Sequence, residues 1–117
     1  MQLNLDEVSV INNEQAHRFE ATVNGRRALI TYRRYPGKIV FDHTEVPEPL
    51  EGKGLAAKLT RVALDFARTN QLRVVPLCPY VTAYIRKHSD VHDLLSPDDL
   101  QQLLSHSTGS SPSAAGK

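Results

Sequence analysis

Between residues 46 and 55 the apolar residues of this chain stop recurring at every second position and start recurring at every third or fourth. That switch restricts a domain of 117 residues to strands first and helices after. On the strand side, Val8 and Val10 alternate with polar neighbours, Asn12-Asn13-Glu14-Gln15 interrupt, and Phe19, Ala21 and Val23 resume the period of two. Asn24-Gly25 then offers the two positive-φ residues of a type I′ hairpin. In RRALITYRRY (26–35), Ala28, Ile30 and Tyr32 share one face and Leu29 and Thr31 the other. Pro36-Gly37 fits a type II turn, and KIVFDHTEV (38–46) makes a fourth strand that Pro47 and Pro49 bring to an end. The spacing predicts an antiparallel meander of four strands.

On the helix side, Leu55, Leu59, Val62, Ala63 and Phe66 form an amphipathic stripe, with Lys58, Arg61, Asp65 and Arg68 turned outward and Asn70 as the stop. LRVVPLC (72–78) reads as a short buried strand, which after a helix runs parallel to its neighbour. VTAYIRKH (81–88) makes a second helix behind Pro79, basic in its last turn as the dipole prefers. The predicted fold is α/β (α+β): a mixed sheet made of a four-stranded antiparallel meander followed by helix, parallel strand and helix. One domain spans 1–95. Residues 96–106 form a short C-terminal helix with Ser96 as N-cap and Pro97 at N1, and 107–117 are a Gly/Ser-rich tail expected to be disordered.

Fourteen Lys and Arg against 13 Asp and Glu give a formal charge of +1, too little for a general attraction to nucleic acid or an anionic membrane. A single cysteine excludes an internal disulfide and suits a reducing compartment. The acidic opening MQLNLDEVSVINN lacks a basic, then apolar, leader, and no apolar run approaches the roughly 20 residues of a bilayer span, so a cytoplasmic location is expected.

The helix at Leu55 begins without Ser, Thr, Asp or Asn, so its first N–H groups have no side-chain partner. Gly52 and Gly54 let a ligand approach the backbone there, and Lys53 adds a positive charge. A phosphate or diphosphate suits such a site; a bare strand-to-helix turn accounts for the same residues equally well. The P-loop and dinucleotide-fold glycine patterns are both absent.

DHTEVPEPLEGKGLAAKLTRVALDFA, followed by VVPLCPYVTAYIRKH, resembles the short single-domain members of the GCN5-related N-acetyltransferase superfamily over roughly residues 5–95. The resemblance implies acetyl-coenzyme A as cofactor. In that superfamily a [Q/R]-x-x-G-x-[G/A] segment holds the cofactor diphosphate on backbone amides, and the matching residues are Glu51, Gly52, Lys53, Gly54, Leu55 and Ala56. It also places Thr44, Glu45 and Val46 at the end of the fourth strand, with Arg86 and Lys87 on the second helix, among the cofactor contacts. Glu51 departs from the pattern by setting an acid where Gln or Arg is usual.

Acyl transfer needs a proton acceptor for the attacking group and a donor for the departing thiolate. Cys78, just ahead of a helix start, is the candidate acyl acceptor, and a cysteine at this place in the short family has been considered for that role; it equally fits a small buried hydrophobe. His43 is the candidate general base, although alternation sets it beside Ile39 and Phe41 as a core histidine would be. Tyr84 matches the superfamily tyrosine that protonates the thiolate. Arg26, Arg27, Arg33 and Arg34 with Tyr32 and Tyr35 offer a basic aromatic patch for nucleic acid, but the near-neutral total favours a solvated strand edge. The expected activity is transfer of acetyl to an unidentified small-molecule or protein amine. The alternative is a non-catalytic acyl-coenzyme A-binding or protein-interaction module.

Overall fold

A computed structural model describes residues 4–105; the predicted tail lies outside them. Among the described residues there are five strands, β1 (Ile11–Asn13), β2 (Arg18–Val23), β3 (Arg26–Tyr35), β4 (Lys38–Glu45) and β5 (Arg73–Pro76), in the spatial order of the chain. Three helices accompany them: α1 (Leu55–Thr69), α2 (Pro79–Lys87) and α3 (Pro97–Ser105). Every neighbouring pair is antiparallel except β4 with β5, which run parallel around the α1 crossover. The fold is therefore the mixed sheet expected, an antiparallel meander extended by one parallel strand.

Burial follows the period switch. Phe19, Ala21, Ala28, Ile30, Tyr32, Ile39 and Phe41 turn one sheet face onto Leu55, Leu59, Ala63 and Ala67 of α1. Phe19 anchors this layer, its ring centroid 5.3 Å from that of Tyr32 and 5.4 Å from that of Phe66. Burial pushes the Tyr32 phenol above its ordinary value of 10.0, and its hydroxyl donates to Asn12 Oδ1 at 2.7 Å. This bond corrects the first strand. β1 lies at Ile11–Asn13 rather than at Val8 and Val10, because Asn12 serves the core while the Asn13 side chain accepts from Ala16 N and makes the turn itself.

Other boundaries shift for similarly local reasons. Pro47 and Pro49 do not leave extended chain; Glu48–Leu50 form a 3-10 turn that buries Leu50. Pro79 is inside α2, at its first turn, where a missing N–H costs nothing. Residues Ser89–Leu94 add a 3-10 segment that no periodicity announced, pinned to α1 by Arg61 with Asp90 and by Arg68 with Asp93. Ser96 caps α3 as expected, accepting from Asp99 N at 3.1 Å.

Two irregularities shape the site. Thr31 pairs with His43 but Tyr32 pairs with Phe41, so Asp42 is an additional residue in β4, a β-bulge. Beyond Phe41 the parallel ladder also stops, because Leu77 N and Cys78 N both donate to Phe41 O as the chain turns into α2. β4 runs on to Glu45 paired with β3 only. At the outer edge of β5, Arg73 N donates to Gly37 O and Leu77 N to Phe41 O, which leaves Val74 and Pro76 facing away from β4.

Candidate functional site

Where β4 outlives β5, a cleft of about 400 Å³ opens. Its wall is Thr44 and Val46 from the end of β4, Leu50, Glu51, Gly52 and Gly54 from the connection, Leu55 and Ala56 from the first turn of α1, and Tyr80 from the first turn of α2. The cofactor-binding positions expected from sequence are thus largely brought together.

The connection is built to expose amides. Gly52 and Gly54 take φ of 77° and 84°, values that side chains disfavour, and Gly54 is the N-cap of α1. No side chain among the described residues caps this helix, and its first ladder bond runs from Lys58 N to Gly54 O at 3.1 Å. The N–H groups of Leu55, Ala56 and Ala57 therefore stand ahead of the ladder. A Cβ at Gly52 would meet nothing within 4 Å, whereas one at Gly54 would come within 3.0 Å of Leu5 Cδ1. A side chain at Gly52 would thus meet open space, whereas Gly54 is packed against Leu5. Uncapped amides, the positive end of a helix dipole and an unfilled glycine cradle fit a diphosphate.

The bulge decides which β4 side chains see the cleft. Directly paired residues share a face, so Thr44, opposite Ile30, lies on the α1 side with Phe41, while His43, opposite Thr31, lies on the other. Simple alternation had grouped His43 with Ile39 and Phe41; the extra residue reverses that parity. His43 is exposed, its Nε2 3.3 Å from Glu45 Oε2 on the same outer face. Asp42 is held by Thr31 Oγ1 at 2.5 Å and Arg33 Nε at 3.1 Å.

Cys78 is 3% exposed, one side chain behind the cleft wall, with its Sγ 3.0 Å from Thr44 Oγ1. Tyr84 is on the next turn of α2 and is not part of the wall. Its ring stacks on His88 at 3.9 Å between centroids, and its hydroxyl meets the Arg61 guanidinium. The phenol that does reach the cleft is Tyr80, 39% exposed, which burial, reinforced by Tyr84, pushes above 10.0. Sequence reasoning passed over Tyr80 within the quoted L-C-P-Y block; Pro79 at N1 was the signal that Tyr80 occupies the first turn, level with the start of α1.

The basic residues expected near the cofactor are dispersed. Arg86 Nε donates to Leu103 O at 3.4 Å and lines a separate cavity of about 260 Å³ with Asp99 and Gln102. Lys87 is exposed in the last turn of α2. Lys53, between the two glycines, is half-buried. Of the arginines that flank β3, Arg33 pairs with Asp42 and Arg34 lies over the Phe66 ring at 5.6 Å. Among the described residues no helix is long and apolar enough to cross a membrane.

The family model described as GCN5-related N-acetyl-transferase matches residues 18–94, a segment that contains β2 to β5, the glycine turn and all of α2. Protein NATD1 of Mus musculus is 34% identical over 85 residues, covering 69% of this chain and 76% of the relative. Protein NATD1 of Homo sapiens is 33% identical over 85 residues, 69% of this chain and 74% of the relative, and that of Danio rerio 30% over 95 residues, 74% and 86%. With the cleft, the uncapped helix start and these matches in agreement, the chain belongs to the GCN5-related N-acetyl-transferase family.

Proposed function

We propose that the protein is an acetyl-coenzyme A-dependent N-acetyltransferase that acts on an amine. The observation that carries this proposal is the uncapped start of α1, opening through Gly52 and Gly54 into the cleft at the parting of β4 and β5. The amides of Gly54, Leu55 and Ala56 hold the diphosphate, and Thr44, Val46 and Leu50 line the path of the pantetheine arm. The cofactor supplies an activated acetyl thioester when bound. Tyr80, a phenol in the cleft wall that is protonated at neutral pH, holds a proton where a thiolate would leave. His43, whose Nε2 is 3.3 Å from Glu45 Oε2, faces away from the cleft wall, so the proton of the attacking amine passes to solvent at the open cleft. Cys78 lies behind Thr44, which favours direct transfer over an acyl-cysteine.

The outward His43 and the enclosed Cys78 also support a second reading, a module that binds acyl-coenzyme A without turnover. One measurement tests both readings and a second separates them. Coenzyme A at 100 times its dissociation constant stabilises a binder by about 2.7 kcal/mol in either case. Amine-dependent thiol release from acetyl-coenzyme A across an amine panel is expected only of the transferase; binding without release across the panel favours the module. No thermal shift with millimolar coenzyme A defeats both.

A further inference from the structure

Resting on that cofactor reading, we infer that Glu51 sets which thioesters the cleft accepts. Its carboxylate opposes phosphate charge and leaves recognition to the pantetheine arm and the main-chain amides, so coenzyme A gains little over a pantetheine thioester that lacks the nucleotide.

Three observations carry this. Among the described residues, Glu51 is the only acidic or basic side chain in the cleft wall, at the residue that enters the glycine turn. The nearby cations point elsewhere: Lys58 Nζ donates to Leu5 O, and Arg86 reaches Leu103 O beside a different cavity. Lys53 and the exposed Glu48 both lie outside the cleft wall, so the charge that the wall itself presents to a ligand is that of Glu51. A site meant to draw in a polyphosphate by charge is arranged the other way. Here the amides select the geometry of an anion while the side chains withhold the attraction. At the solvent-exposed mouth of a cleft, one carboxylate facing a diphosphate weakens binding by roughly fivefold to tenfold.

The test is a titration of the Gly52 and Gly54 amide signals by nuclear magnetic resonance, with coenzyme A and with pantetheine, at low and high salt. It is run on the native chain and on Glu51→Gln and Glu51→Arg, whose exposed position leaves the fold intact. In the native chain the two ligands are expected to bind within about threefold of each other, with little salt dependence. Glu51→Gln tightens coenzyme A about fivefold, and Glu51→Arg about tenfold with a new salt dependence, while pantetheine is unchanged. Coenzyme A affinity that neither substitution alters, or a native preference for coenzyme A beyond about tenfold, overturns the role of Glu51 and leaves the cofactor reading standing. Failure of both ligands to bind any of the three folded proteins overturns both.

Discussion

The hydroxyl of Thr44 lies 3.0 Å from the sulfur of Cys78, joining the last turn-free part of β4 to the residue that opens α2. The contact closes the floor of the cleft where the two strands part. Cys78→Ala removes a buried atom and is expected to cost about 1–2 kcal/mol in urea denaturation. Under direct transfer it leaves amine-dependent thiol release within about threefold of native at a temperature where both proteins are folded. Loss of turnover together with loss of an acetyl adduct on the protein would instead make the thiol part of the chemistry.

Gly52 and Gly54 have similar φ but different surroundings, so alanine should separate stability from binding. Each substitution forces a left-handed residue and costs about 1–2 kcal/mol. Gly54→Ala also presses on Leu5 and is expected to be the more destabilising by thermal melt. Gly52→Ala, whose new methyl enters open space, is expected to weaken coenzyme A by about threefold by calorimetry and to leave pantetheine unchanged.

Tyr80→Phe keeps the ring and removes the proton. Thiol release is expected to fall by about 10²-fold with little change in KM for acetyl-coenzyme A. Because burial raises the Tyr80 pKa, the native rate holds through neutral pH and declines only as pH climbs past that raised value; the phenylalanine variant loses this alkaline limb. Tyr84→Phe, which changes a hydroxyl bound to Arg61, leaves the limb in place.

Arg68 donates to both oxygens of Asp93, and that bond is the main cause of the lowered Asp93 pKa; Arg61, donating to Asp90 Oδ2 alone, likewise lowers the Asp90 pKa. A carboxyl whose folded pKa lies below its unfolded 3.8 contributes stability above 3.8 that disappears as pH falls through the folded value. The gap in thermal midpoint between the native chain and Arg68→Met is therefore expected at pH 7 and should close in strong acid. A gap that persists there would assign the effect to packing of the arginine stem.

Gln71 ends α1 at φ 57°, with Leu72 N donating to Ala67 O and Gln71 N to Arg68 O, the pattern that glycine usually completes. Gln71→Gly is expected to stabilise by about 0.5–1 kcal/mol, a thermal midpoint raised by a few degrees without effect on coenzyme A binding.

The sheet and the helices were legible because period two and period 3.6 leave distinct marks, and Asn24-Gly25 and Pro36-Gly37 mark the hairpins where they occur. The glycine turn was legible as an uncapped helix start. The bulge at Asp42 was not: one inserted residue has no compositional signature, yet it carried His43 to the opposite face. Tyr84 was singled out and Tyr80 passed over for a related reason: residues four apart share a helix face, and only the position of the helix end decides which meets the cleft. Ser89–Leu94 escaped because a short 3-10 segment buries Val91 and Leu94 without any repeat.

Pro76 faces outward from β5, has no N–H to offer, and its carbonyl accepts from Thr82 Oγ1 at 3.4 Å. An incoming strand would find Val74 alone able to pair in both directions on that border. The fifth strand thus ends the sheet chemically as well as in space, and a small protein with an open side gains protection against growing into fibrils by edge-on recruitment of its own copies.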